Sequence, residues 1–190
     1  MRFRSTLLLV LAFPPLLSGC AAAVLGGLAT GAYVAQDRRS VGSLVDDQVL
    51  EMKINNALRS DPQAGYGRII VSSFNGNVLL AGDVPSQAAK DNATQIANEQ
   101  LGIKRVFNEL RVGPIAPMSD RSRDAWIRAE VKTRLLGAED HPGLKVKVTV
   151  DKGVVYLQGL MRQDEADWAA NVASNVSGVT QVIKVFEYIS

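Results

Sequence analysis

"VLLAG" at residues 78–82 and "VYLQG" at residues 155–159 are one phrase written twice, 77 positions apart. Each follows a turn, "NGN" (75–77) or "DKG" (151–153), and each turn follows an alternating stretch, "RIIVSSF" (68–74) or "KVKVTV" (145–150). Apolar–polar alternation predicts strands, and a glycine-bearing turn between two such stretches predicts a β-hairpin. The chain holds two of these hairpins. Gly82 and Gly159 end the returning strands, where a glycine serves backbone geometry.

The repeat extends outward from the hairpins. Upstream, Leu50, Ile54 and Leu58 match Ile127, Val131 and Leu135 at the same offset, and their helical spacing predicts helices over 46–59 and 122–136. Downstream, small residues at helical spacing predict a second helix, with Ala89, Ala93 and Ile96, or Ala166, Ala170 and Ala173, toward the core. "GIKRVFNEL" (102–110) then matches "GVTQVIKVF" (178–186) one residue out of step, and predicts closing strands at 103–112 and 179–189. The fold class is α+β, with two tandem αββαβ domains. Each is a small three-stranded mixed sheet carrying two helices on one face. The first domain spans 46–112 and the second 122–190. Residues 113–121, which contain "GPIAPMSD", form the linker.

The N-terminus is of another kind. Arg2 and Arg4 precede an apolar run from Leu7 to Leu17, interrupted by Pro14 and Pro15. As a helix that run covers roughly 16 Å, too short to cross a bilayer core of about 30 Å. Residues 1–19 therefore read as a signal peptide. Leu17-Ser18-Gly19-Cys20 resembles the bacterial lipobox, which implies lipidation of Cys20, the only cysteine in the chain. Ala21 follows it, and by the same resemblance the protein sorts to the periplasmic face of the outer membrane. Residues 20–45 are rich in Gly and Ala and read as a flexible tether in preference to a small-xxx-small helix contact through Gly27 and Gly31.

The αββαβ order, the "V-x-L-x-G" strand and the "G-[IV]-x-x-V" close resemble the BON domain. Two copies behind a lipobox resemble the dual-BON outer-membrane lipoprotein family known as DolP or YraP. The resemblance implies a non-enzymatic protein that binds anionic phospholipids such as phosphatidylglycerol. It also implies links to envelope integrity, division sites and the outer-membrane-protein assembly machinery, and no cofactor beyond the diacylglycerol and acyl groups on Cys20.

Charge and motifs narrow the alternatives. Without Arg2 and Arg4, the 21 basic residues fall to 19, against 19 acidic ones. A neutral chain argues against nucleic acid as a partner. His141, the single histidine, sits beside Glu139 and Asp140 in a turn-like "EDHPG", with no set of metal ligands or catalytic partners around it. Nucleophile-elbow and phosphate-loop motifs are absent. The carboxylates of "RQDEAD" (162–167) suit the N-terminus of the second helix.

Function should lie where the copies diverge. Asp46, Val49, Glu51 and Asn55 on the first helix become Arg123, Trp126, Arg128 and Lys132 on its counterpart, which adds Arg121 and Arg134 against Asp120, Asp124 and Glu130. Trp126 precedes the core residue Ile127 and so points about 100° away from it. It either covers the core edge or faces a membrane interface, where indole and cations favour the headgroup layer. Trp126, Arg123, Arg128, Lys132 and Leu136 are the candidate phospholipid-binding residues. The same composition suits a protein-interaction adaptor or a chaperone-like module. If the anchor is Cys20, a Cys20→Ser protein should be released by carbonate washing that leaves the wild type in the membrane fraction; equal retention would remove the lipidation reading.

Overall fold

Each hairpin turns on a pair of residues with positive φ: Asn75 and Gly76 at 53° and 77°, and Lys152 and Gly153 at 50° and 76°. That is the type I′ geometry, whose twist matches the strands it joins. In the computed structural model, which describes residues 38–62, 67–137 and 146–190, β1 (Arg68–Phe74) thereby pairs antiparallel with β2 (Asn77–Val84). Likewise β4 (Lys147–Asp151) pairs with β5 (Val154–Met161). The closing strands β3 (Arg105–Val112) and β6 (Gln181–Tyr188) lie parallel to β2 and β5. The result is two separate mixed sheets, ordered β1-β2-β3 and β4-β5-β6.

Alternation along β2 sends Val78 and Leu80 to one face and Leu79 and Ala81 to the other. The first face packs on α1 (Val41–Ser60) through Leu50, Ile54 and Leu58, and on α2 (Gln87–Asn98) through Ala89, Ala93, Ile96 and Ala97. In the second domain α3 (Met118–Leu136) contributes Ile127, Val131 and Leu135, and α4 (Gln163–Ser174) contributes Ala166, Ala169 and Ala173. Full burial of each of these branched side chains stabilises by about 1.5–3 kcal/mol. The other faces of the two sheets meet: Leu79 and Ala81 pack with Tyr156 and, at the margin, Phe107, Val154 and Ile183. Burial there pushes the Tyr156 phenol up to about 12, so it stays neutral. Ion pairs surround this patch. Asp151 is held by Arg68 and Arg111, Asp83 by Lys152 at 2.8 Å, and Glu51 by Lys147. Residues 36–190 thus form one compact unit that contains both cores and their interface.

Three expectations need correction. The α1 helix begins at Val41, inside the stretch 20–45 read as tether, because the Ser40 hydroxyl accepts the Ser43 amide as an N-cap. Before it, Arg39 stacks on Phe74 at 3.7 Å and Arg38 donates to Glu165 through both terminal guanidinium nitrogens, Nη1 and Nη2. The α3 helix likewise begins at Met118, inside the linker 113–121, and the linker itself is packed: the Ala116 amide donates to Asp83 at 3.0 Å. Third, Ala169 and not Ala170 takes the buried place. α2 and α4 start 76 residues apart, whereas β2 and β5 start 77 apart, so the slip precedes the second helix. Where the first copy has Pro85 and Ser86, the second has Arg162 alone. Ser86 caps α2 with its hydroxyl; α4 instead uses Glu165, which accepts the Arg162 amide at 2.9 Å. Cys20 and His141 lie outside the described residues.

Gly82 tests this framework. Its φ is +124°, and a Cβ there would come within 2.0 Å of the Arg68 carbonyl oxygen. Gly82→Ala should lower unfolding free energy by more than about 2 kcal/mol. Gly113→Ala, in open space, should stay within about 0.5 kcal/mol of wild type in urea titrations. A second test concerns Glu165. The Arg38 hydrogen bonds outweigh its burial and, with the Arg162 amide, lower its pKa from 4.5 to about 2. A group with a depressed folded pKa stabilises above its unfolded value and loses that contribution as pH falls toward the folded one. Arg38→Ala should therefore lower the Tm at pH 7, and its gap from wild type should shrink between pH 4.5 and 2; a gap independent of pH would refute this.

Candidate functional site

The face that α3 presents outward is set by the face it buries. Ile127, Val131 and Leu135 point inward, and so does Asp124, whose carboxylate accepts the amides of Lys152 at 2.8 Å and Gly153 at 2.9 Å. The first copy does the same. Asp47 accepts the amides of Asn75 (2.7 Å) and Gly76 (3.0 Å) and the Ser73 hydroxyl (2.6 Å). Burial opposes ionisation of Asp47, but these donors and Arg39 together hold its carboxyl below the usual range. Each acid ties the first helix of its domain to the turn of its hairpin. Asp124, which the sequence sets with Asp120 and Glu130 on the exposed flank, is thus a buried residue. The available signal was that an acid stayed in place in both copies while the flank around it inverted its charge.

With that stripe fixed, Trp126 emerges 54 % exposed, and it does not cover the core edge. Leu136 and Met118 are 53 % and 69 % exposed. Arg123, Arg128 and Lys132 are exposed too, and none forms an ion pair among the described residues. Arg134 differs: it is tied to Glu130 at 2.8 Å and to the Asn175 carbonyl at 2.9 Å.

The structure does not gather the five predicted residues into one cluster. At 100° per residue, Trp126 and Arg128 project about 160° apart around the axis. Trp126 and Arg123 share one edge of the helix, three residues apart. Arg128 and Lys132, four apart, share the opposite edge. Leu136 and Met118 lie along the crest between them, with Ala125 and Ala129 also exposed. α3 is thus an exposed crest of apolar and small residues, flanked on both sides by cations that form no ion pair among the described residues.

The matching flank of α1 is engaged elsewhere. Glu51, the counterpart of Arg128, accepts Lys147 and the Ser73 amide, and Asn55 donates to the Glu51 carbonyl. Beside α1, Val49 and Lys53 border an open cavity of about 400 Å³ whose outer lip is Leu101, 90 % exposed. Among the described residues, no group of His, Cys, Asp and Glu could hold a metal ion. None of the described helices is long and apolar enough to cross a membrane.

Comparison with known proteins agrees with this architecture. Residues 46–114 and 123–190 each match the BON domain. The chain is 42% identical over 174 residues to the outer membrane lipoprotein DolP of Haemophilus influenzae, covering 91% of this chain and 90% of that one. It is 39% identical to a 21 kDa hemolysin of Actinobacillus pleuropneumoniae, covering 80% and 79%. It is 30% identical to the osmotically-inducible protein Y of Escherichia coli, covering 80% and 77%. Two BON domains, and a likeness to DolP along nearly the whole length, make this chain a member of the dual-BON, DolP-type family of outer-membrane lipoproteins.

Proposed function

We propose that this lipoprotein is a non-catalytic reader of anionic phospholipid, which it binds with α3 of the second domain. The exposed crest of α3, with Trp126 and Leu136 flanked by Arg123, Arg128 and Lys132, which form no ion pair among the described residues, carries the reading. Each cation near an anionic bilayer contributes about 1 kcal/mol, screened within a Debye length of about 8–10 Å. Three cations and a half-buried indole give reversible, salt-sensitive binding. The lipid on Cys20 supplies permanent attachment, while α3 selects where on the membrane the protein dwells. In this reading, enrichment at anionic lipid links the protein to envelope integrity, to division sites and to outer-membrane-protein assembly.

A second reading, a protein-interaction adaptor, is favoured by a different observation, the cavity lipped by Leu101 in the first domain. The two readings use different domains and are separable by mutation.

The soluble unit 36–190 should pellet with phosphatidylglycerol vesicles and only weakly with phosphatidylcholine. Trp126→Ala should weaken that binding roughly tenfold, about 1.4 kcal/mol, with an unchanged circular dichroism spectrum, since Ile127, Val131 and Leu135 remain. Val49→Ala in the first domain should leave it unchanged. Wild-type affinity in Trp126→Ala would remove the lipid reading in favour of the adaptor.

A further inference from the structure

The second edge of α3 faces a cleft that belongs to neither domain alone. β1 of the first sheet and β4 of the second, each the outer strand of its sheet, line it together with α3. Its volume is about 410 Å³, within the roughly 300–1,000 Å³ typical of small-molecule sites. Five cations from three elements converge there: Arg68 on β1, Arg121, Arg128 and Lys132 on α3, and Lys147 on β4. Two carboxylates also line it, and both are already engaged. Glu51 accepts Lys147 and the Ser73 amide, and Asp124 accepts the amides of Lys152 and Gly153.

Of the five cations, Arg68 is paired with Asp151 and Lys147 with Glu51, whereas Arg128 and Lys132 form no ion pair among the described residues, so the lining carries a net positive charge. Its lining also includes Val71, Val148 and Val150, and Ser72, whose buried hydroxyl has no hydrogen-bond partner among the described residues. Arginine and lysine side chains converging on one cleft suit a phosphate group, which Arg binds through paired N–H donors and Lys as a point charge. Ala125 lines the cleft and adjoins Trp126, so the cleft opens alongside the crest.

We propose that this interdomain cleft binds the headgroup phosphate of an anionic phospholipid, with Arg128 and Lys132 as its principal ligands and the first domain's β1 as its far wall. The proposal deepens the lipid reading and rests on it. Recognition of lipid then requires both domains in their docked arrangement, not the second domain alone.

The test is an amide-resolved NMR titration of the 36–190 unit with dihexanoylphosphatidylglycerol below its micelle concentration, with inorganic phosphate and dihexanoylphosphatidylcholine in parallel. Saturable shifts should appear at residues 70–72 of β1 and 148–150 of β4 as well as on α3. Phosphate and the choline lipid should bind at least tenfold more weakly. Arg128→Gln with Lys132→Gln, both exposed and without an ion pair among the described residues, should weaken the strand shifts tenfold or more without changing the apo spectrum elsewhere. If inorganic phosphate matches the glycerol lipid, the site takes a free anion and the lipid assignment is overturned. If wild-type protein binds phosphatidylglycerol vesicles but the strand amides stay still, the cleft proposal fails and the crest reading stands. If vesicle binding is itself absent, both fail.

Discussion

A carboxylate sealed from water holds the two halves of the molecule in place. Asp151, at the end of β4, is 0 % exposed and is gripped by two guanidinium groups from the other domain, Arg68 and Arg111. Asp83, in the first domain, is held in turn by Lys152 of the second and by Arg111. The pairs interlock in both directions. Breaking such an arrangement leaves a buried charge uncompensated, at several kcal/mol. Gln158 adds orientation by donating across the interface to the Ser72 and Asn77 carbonyls at 3.3 and 3.2 Å. The cleft between β1 and β4, and the angle at which α3 stands to the first domain, follow from this docking.

The sequence made some of this legible and hid the rest for physical reasons. Strand alternation and the Asn75-Gly76 and Lys152-Gly153 turns are local properties, and the hairpins formed where those residues require them. Helix starts were less visible, because Ser40 and Pro117 sit in stretches whose composition reads as tether and linker. The alanines of α4 fit two registers almost equally, and the choice depends on a deletion beside Arg162. The crest of α3 could be read from spacing, since Trp126 stands beside a core position. Its two-edged distribution of cations needed the helix to be set against the rest of the fold. The cleft was beyond sequence reasoning altogether, for it pairs Arg68 with residues of the other copy.

The two copies share one scaffold and differ on its outer flank. Both copies keep the same scaffold down to the acid that fastens helix to turn, Asp47 in one and Asp124 in the other. The flanks differ. In α1, Glu51 turned toward Lys147 and became part of the domain contact. In α3, the equivalent Arg128 and its neighbour Lys132 form no ion pair among the described residues.

The bond between Arg38 and Glu165 has a mechanical meaning. Residue 38 precedes the first domain in the chain, yet its guanidinium is fastened to α4 of the second at 2.7 and 2.8 Å. Tension travelling along the chain from its N-terminal side reaches that bond before it reaches α1. A lateral pull at the anchor is therefore shared between both repeats from the outset, and the load falls on the body as a whole instead of peeling the first repeat away from the second.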